Sequence, residues 1–352
     1  MKKIWKALLF CLTALLITGV LSFLMIPSSY LRVVLHEVQN DKGNFDMAFF
    51  GQSLGETCID PYTIEEETGI RSYNLCRRIV TIPDMLYLVK EANYKNDLKT
   101  VVVDIDPTYW HGTKIDYYND AYILPHLNNP KNKIEYFFRY SFQADYRVSF
   151  CRYVVHGFGD IKKIQERVAQ KTSDDYRNYS MKAVSESGNH FRYVGRGFRY
   201  GQKYAEAQPP KLEWNRDAVS HEVLESFEEL TIYCRQNDIQ LICIQSPLPH
   251  ERFSKEQHAD MNDYYTELCK KYQVPYFNFN YINDSYLTWN QKSFEDHEGH
   301  MMGPFAQEYS AVMGHVLSDY QNHKDCSCYF SDTLNTTAKP DHSVKPAPDK
   351  DL

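Results

Sequence analysis

Residues 45–55 read Phe45-Asp46-Met47-Ala48-Phe49-Phe50-Gly51-Gln52-Ser53-Leu54-Gly55. The run from Phe45 to Phe50 is almost continuously apolar and stops at a glycine. That pattern predicts a short strand buried on both faces, as strands of parallel sheets are. Gly51 and Gly55 permit a tight turn around Ser53, which places the serine at the carboxyl end of the strand. In open α/β sheets that end is the ligand-binding edge, and backbone N–H groups at such a turn can hold a developing oxyanion. A single serine after a strand is also an ordinary turn residue, so the rest of the chain has to supply partners for it.

Outward from this stretch the sequence alternates between short apolar runs and helical patterns. Residues 72–75 read as a second strand, 82–92 as a helix and 98–105 as a buried strand. Residues 218–236 place Val219, Val223, Phe227, Leu230 and Cys234 at helical spacing. Residues 239–244 form the next strand, stopped by Pro247 and Pro249. The following helix starts at Ser254 with Gln257 three residues on, a capping-box spacing. A late strand over 274–279 precedes a closing helix over 304–320, with Pro304 in its first turn. Strands alternating with helices predict a parallel sheet with helices on both faces. Residues from about 109 to 211 break the alternation; rich in Tyr, Phe and Arg, they are expected to form a helical insertion or cap. From residue 325 the chain is polar and is expected to be a disordered tail running to residue 352.

The chain has 352 residues, 43% hydrophobic and 24% charged, enough for one large domain with a core. Its net charge of −7 argues against a nucleic-acid partner. The charge is uneven, because residues 131–203 hold 15 Lys/Arg against 7 Asp/Glu, a local excess of +8 that leaves −15 elsewhere. Such a stretch is either a face for an anionic partner or a solvated helical surface. At the N-terminus, Lys2, Lys3 and Lys6 precede 20 uncharged residues, 7–26, mostly Leu, Ile, Phe, Val and Ala. At about 1.5 Å per residue that run spans the ~30 Å hydrocarbon core. The positive-inside rule then keeps the N-terminus in the cytoplasm and the body outside the cell membrane. The expected organisation is a single-pass signal anchor over residues 1–27, an α/β domain over 28–324 and the tail. A cleaved signal peptide is the alternative, although the flanking Ser22-Phe-Leu-Met-Ile-Pro27 offers no small-x-small site. Nine cysteines are scattered, and His323-Lys-Asp-Cys326-Ser-Cys328 lacks a second ligand pair at zinc spacing. No metal or cofactor is expected.

A partner for Ser53 lies near the other end, in Phe294-Glu295-Asp296-His297-Glu298-Gly299-His300-Met301-Met302. A histidine within reach of the serine can take its proton, and the acid can orient that imidazole. The chain order Ser…Asp…His, with the pair just ahead of the last helix, is more specific than either half. Gly51-Gln-Ser53-Leu-Gly55 is also literally Gly-x-Ser-x-Gly, the nucleophile elbow of α/β-hydrolases. That fold puts several strands before the elbow and the acid well upstream of the histidine. Here the motif follows the anchor by about 25 residues and the acid and base share one loop, so this assignment is set aside.

Residues 45–61, with Gly-x-Ser and the following Ile59-Asp60-Pro61, resemble the first block of the SGNH (GDSL-like) hydrolase/acyltransferase superfamily. They are most similar to its membrane-anchored DltD-like and AlgX-like branch. Gly69-Ile-Arg-Ser-Tyr-Asn-Leu75 resembles that branch's second strand, and His300-Met301-Met302 with Phe305, Ala306, Tyr309 and Ser310 its final block. The resemblance covers roughly residues 45–107 and 215–320. It implies a flavodoxin-like α/β/α sandwich, with Ser53 as nucleophile, Asp296 as orienting acid and His300 as general base. Asp296 and His300 stand four apart instead of three, which keeps His297 as a second choice of base. Gly51 and Asn74 are the candidates for the oxyanion site, with Cys76 where a glycine is usual. The implied activity is acyl-ester chemistry on a cell-envelope polysaccharide or teichoic acid, beside an MBOAT-type membrane acyltransferase. Arg192, Arg196 and Arg199, interleaved with aromatic residues, are candidates to bind the polymer or an acyl donor; a packed cap is the other reading of the same segment. A non-catalytic envelope accessory protein is the competing function.

Overall fold

Short apolar runs without alternation fit the interior of a sheet covered on both faces, and two of them, 47–50 and 100–104, pair with one another here. The computed structural model describes residues 2–26, 28–41, 45–78, 80–111, 123–141, 160–184, 191–203 and 214–337. In chain order its main elements are α1 (Lys2–Met25), α2 (Tyr30–Asn40), β1 (Met47–Phe50), α3 (Ser53–Cys58), α4 (Pro61–Thr68), β2 (Ser72–Asn74), α5 (Ile82–Asn93) and β3 (Thr100–Asp104). Then come α6 (Pro130–Tyr136), α7 (Ile161–Thr172), α8 (Asp174–Arg177), β4 (Phe191–Gly195), β5 (Phe198–Gly201), α9 (His221–Gln236), β6 (Gln240–Gln245), α10 (Lys255–Lys271), β7 (Tyr276–Asn278) and α11 (Gly303–Gln321). The chain divides into two compact units, one joining residues 1–36 to 115–187 and the other joining 37–114 to 188–352.

The second unit is built on a five-stranded sheet of order β2-β1-β3-β6-β7. Every neighbouring pair is parallel, with Met47 opposite both Ser72 and Thr100, Thr100 opposite Gln240, and Cys243 opposite Tyr276. This is the doubly wound order 2-1-3-4-5 of flavodoxin-like sheets, and the fold is the α/β class that the sequence predicts. All residues of β1 and β3 are buried. Helices flank the sheet, α5 packing with α9 and α11 with α3 and α4. Local signals set the ends of these helices: the Ser254 hydroxyl accepts from the Gln257 amide at 3.2 Å while the Gln257 side chain accepts from the Ser254 amide at 3.0 Å.

Two segments of this unit differ from the sequence expectation. Residues 191–201, expected within a helical cap, form the antiparallel hairpin β4–β5. The hairpin is held beside β2 by a bond from the Asn74 amide to the Arg196 carbonyl at 2.9 Å. Glu37 accepts from the Tyr193 hydroxyl at 2.5 Å and from the Arg196 amide at 3.1 Å. Residues 325–337, expected in the disordered tail, are packed. Phe330 stacks on Phe277 with ring centroids 5.8 Å apart, and buried Asn335 donates to the carbonyls of Ile282 and Leu287 at 3.0 and 2.9 Å. Aromatic stacking and a satisfied carboxamide outweigh a polar composition there. Residues 338–352 lie outside the described ones.

In the first unit, α1 is the one helix among the described residues long and apolar enough to cross a membrane. Its apolar stretch, Lys3–Leu21, is not buried against the rest of the protein. Close to α1 in sequence, Ser29 meets the buried His126 ring at 2.7 Å.

Candidate active site

Ser53 begins α3, three residues past the end of β1, so the parallel order carries it to the carboxyl edge of the sheet. The helix ladder opens with the Glu56 amide bonded to the Gln52 carbonyl at 3.3 Å. The amides of Ser53, Leu54 and Gly55 precede that bond, as first-turn amides do. Close packing under the turn explains Gly55. A Cβ there would lie 2.5 Å from Cys76 Sγ and 3.1 Å from Asp104 Oδ2. Gly55→Ala is expected to cost about 1–3 kcal/mol in urea denaturation, the usual effect of overpacking. Because the sulfur is the closest atom, Cys76→Ala in the same chain should recover part of that loss; a strictly additive pair would contradict the contact.

The other half of the site is the loop between Ser293 and Met302. Phe294 and Met301 form an antiparallel bridge, closed by bonds from the Glu295 amide to the His300 carbonyl at 2.6 Å and from the Met302 amide to the Ser293 carbonyl at 2.9 Å. Inside it, Asp296 Oδ1 accepts three amides in succession, from Glu298 at 3.0 Å, Gly299 at 3.1 Å and His300 at 3.2 Å. Gly299 takes φ +111°, a conformation that side-chain-bearing residues rarely adopt. This ring of bonds spans the four-residue step from acid to base. Asp296 Oδ2 then meets His300 Nδ1 at 2.7 Å, and His300 Nε2 meets Ser53 Oγ at 3.0 Å. Burial works against ionisation of Asp296, but the His300 ring and the amides of His300 and Gly299 overcome it and hold the carboxyl below its usual range. The loop is tied to α3 by the Met301 amide donating to Thr57 Oγ1 at 3.2 Å.

In comparisons with known proteins, no family model and no curated protein matches the chain. Two solved structures are similar in arrangement. One is a GDSL-like lipase from Bacteroides thetaiotaomicron VPI-5482, at 12% identity and a TM-score of 0.35, covering 81% of this chain and 91% of that one. The other is a predicted acylhydrolase from Bacteroides fragilis NCTC 9343, at 11% identity and a TM-score of 0.37, covering 82% and 92%. Both descriptions belong to those proteins.

The remaining candidates from the sequence are placed differently. His300, not His297, meets the serine. Asn74 is fully buried, and its amide hydrogens go to the carbonyls of Gly55 at 2.7 Å and Ile59 at 2.8 Å, while its oxygen accepts from the Cys76 amide at 3.0 Å. Its carboxamide therefore braces the turn around Ser53 and has no hydrogen left for an oxyanion. The Gly51 carbonyl accepts from the Arg77 amide at 3.0 Å, linking β1 to the end of β2. Arg196 pairs with Glu65, and Arg199 with buried Glu56 at 3.2 Å. These two guanidinium groups are committed inside the protein, while Arg192 is half-buried on β4.

Sequence reasoning missed Glu56 and Glu295. Glu56, one turn after Ser53, pairs with Arg77 at 3.3 Å as well as with Arg199, and so anchors α3 to the hairpin. An acid in an otherwise small and apolar turn was the available signal. Glu295 is 3% exposed; burial first, then the neighbouring Asp296 charge, push its carboxyl from 4.5 up to about 8. Between those two values the folded chain holds a proton that the unfolded chain has lost, so stability falls as pH rises through the window. Glu295→Gln is expected to remove this slope. Its thermal midpoint should match wild type near about pH 5 and exceed it near about pH 8; an equal offset at both would show that Glu295 does not titrate as described.

Asp296, Glu298 and His300 also bring potential metal-ligating atoms within 4.8 Å of one another. The nitrogen and oxygen of the His300–Asp296 pair already face each other at hydrogen-bond distance, and the other ring nitrogen is turned to Ser53. The arrangement fits proton transfer.

Proposed function

We propose that this chain is a membrane-anchored, extracytoplasmic serine esterase or O-acyltransferase of the SGNH type. The observation that carries the reading is the relay Ser53–His300–Asp296, at 3.0 and 2.7 Å. Ser53 Oγ attacks the carbonyl carbon of an ester as His300 Nε2 takes its proton. The first-turn amides of α3, which precede the first helix bond, are the donors this reading assigns to the developing oxyanion, and the imidazolium is stabilised by Asp296. Collapse breaks the bond to the leaving alcohol, which receives the proton from His300, and leaves an acyl-Ser53 ester. A hydroxyl of the acceptor, or water, then gives its proton to His300 and attacks the acyl carbon; the acyl–Oγ bond breaks, and His300 Nε2 returns the proton to Ser53 Oγ. The resemblance to the DltD-like branch supports a cell-envelope polysaccharide or teichoic acid as acceptor and an MBOAT-type acyltransferase as partner. Lys2, Lys3 and Lys6, at the N-terminal end of α1, support a cytoplasmic N-terminus.

A second reading, a non-catalytic accessory protein that binds a polymer or docks on a transferase, is favoured by the commitment of Asn74 and of the Cys76 amide to internal bonds. Loss of an oxyanion donor costs roughly 10²–10³ in rate. Fluorophosphonate labelling of the full chain in detergent separates the two. Adduct mass on the peptide containing Ser53 is the expected result, and an unlabelled chain with its thermal transition intact would put the accessory reading ahead.

A further inference from the structure

The first unit gathers cationic and aromatic side chains where α1 ends. Phe23, near the end of α1, meets Tyr176 edge-on with ring centroids 6.4 Å apart. The Lys171 ammonium lies 4.7 Å from the Phe23 ring and 4.3 Å from that of Tyr176. The Arg32 guanidinium sits between Tyr176 and Tyr179, at 3.7 and 3.8 Å from their centroids. Aromatic rings, and lysine or arginine with long apolar stems, are the side chains that the boundary between hydrocarbon and headgroups accommodates.

α7 leaves this cluster as a two-faced helix. Ile164, Arg167 and Lys171 turn inward, whereas Ile161 is 71% exposed and Val168, two turns later, 40%. Ile134 on α6 and Phe138 just after it are 58% and 60% exposed. Around these apolar side chains the charge is positive, residues 123–141 and 160–184 holding nine Lys/Arg against five Asp/Glu in a chain of net charge −7. Apolar side chains beside lysines on a surface helix, next to a spanning segment, are the composition of an interfacial helix that favours anionic lipid.

We propose that this unit lies on an anionic phospholipid bilayer, with the Ile161–Val168 stripe of α7 dipped into the headgroup region beside the anchor. The proposal rests on the reading of α1 as a membrane anchor. Single cysteines carrying an environment-sensitive fluorophore test it in the full chain, with Cys11 and Cys328, which are exposed, and Cys151, which lies outside the described residues, changed to Ser. Ile161→Cys, Glu166→Cys on the far side of α7, and Leu12→Cys within α1 are reconstituted in vesicles of phosphatidylcholine with or without phosphatidylglycerol. Expected are quenching by a lipid-borne nitroxide at Leu12→Cys in both mixtures, quenching at Ile161→Cys that strengthens with phosphatidylglycerol, and none at Glu166→Cys. Quenching at Leu12→Cys alone, or equally at both faces of α7, overturns the proposal and leaves the anchor standing. No quenching at Leu12→Cys overturns the anchor and the proposal with it.

Discussion

Ser53→Ala is expected to lower kcat/KM for p-nitrophenyl acetate by roughly 10⁴–10⁶-fold, the range seen when a relay nucleophile is removed. The protein should stay folded. Ser53 is half-buried, and the bond described for its hydroxyl runs to His300, so a methyl group in its place opens no core cavity and strands no deeply buried partner. The thermal midpoint should therefore move by no more than a surface substitution moves it, about 0.5 kcal/mol in stability. Activity within tenfold of wild type in a folded variant would remove Ser53 from the mechanism. A collapse of activity and thermal midpoint together would say only that the turn had been damaged, and Ser53→Cys would then serve as the gentler replacement.

Asp296→Asn should cost about 10⁴-fold while leaving the loop closed. The two oxygens of Asp296 do different work. Oδ1 takes the amides of Glu298, Gly299 and His300, and an asparagine oxygen can still accept them. Oδ2 faces His300 Nδ1, and there asparagine presents an N–H. A donor at that point turns His300 to the tautomer with its proton on Nε2, which cannot accept the Ser53 proton. Asp296→Ala removes both functions and should also lower the thermal midpoint. If Asp296→Asn retains more than a tenth of wild-type kcat/KM, the imidazole is oriented by something other than this carboxylate.

What the sequence disclosed depended on how far apart the partners lie. β1 and β3 were readable because a short apolar run bounded by turn residues is a local property, and its length separates a buried strand from a spanning helix such as α1. Asp296 and His300 were readable as a pair because they share a loop, and Ser53 because its glycines mark a turn. The hairpin β4–β5 was not, since its arginines satisfy acids on other elements, Arg199 pairing with Glu56 across 143 positions. Asn74 has the right residue type for an oxyanion donor, and only the carbonyls of Gly55 and Ile59 reveal that its hydrogens are taken. Residues 325–337 look polar, yet Phe330 and Asn335 find aromatic and carbonyl partners from 277 to 287.

The closed loop that carries Asp296 and His300 also bears on the order in which the site is assembled. Its acid–base geometry is fixed by bonds spanning a handful of residues, so it can form with little loop-closure entropy, before distant parts of the chain meet. Only the serine has to arrive from 247 positions away. During folding, competence for acyl chemistry would then switch on as a late, single event, when α3 docks through Thr57 onto Met301. A partly folded chain would carry a finished proton relay with nothing to activate, and so would not react with stray esters before its core is closed.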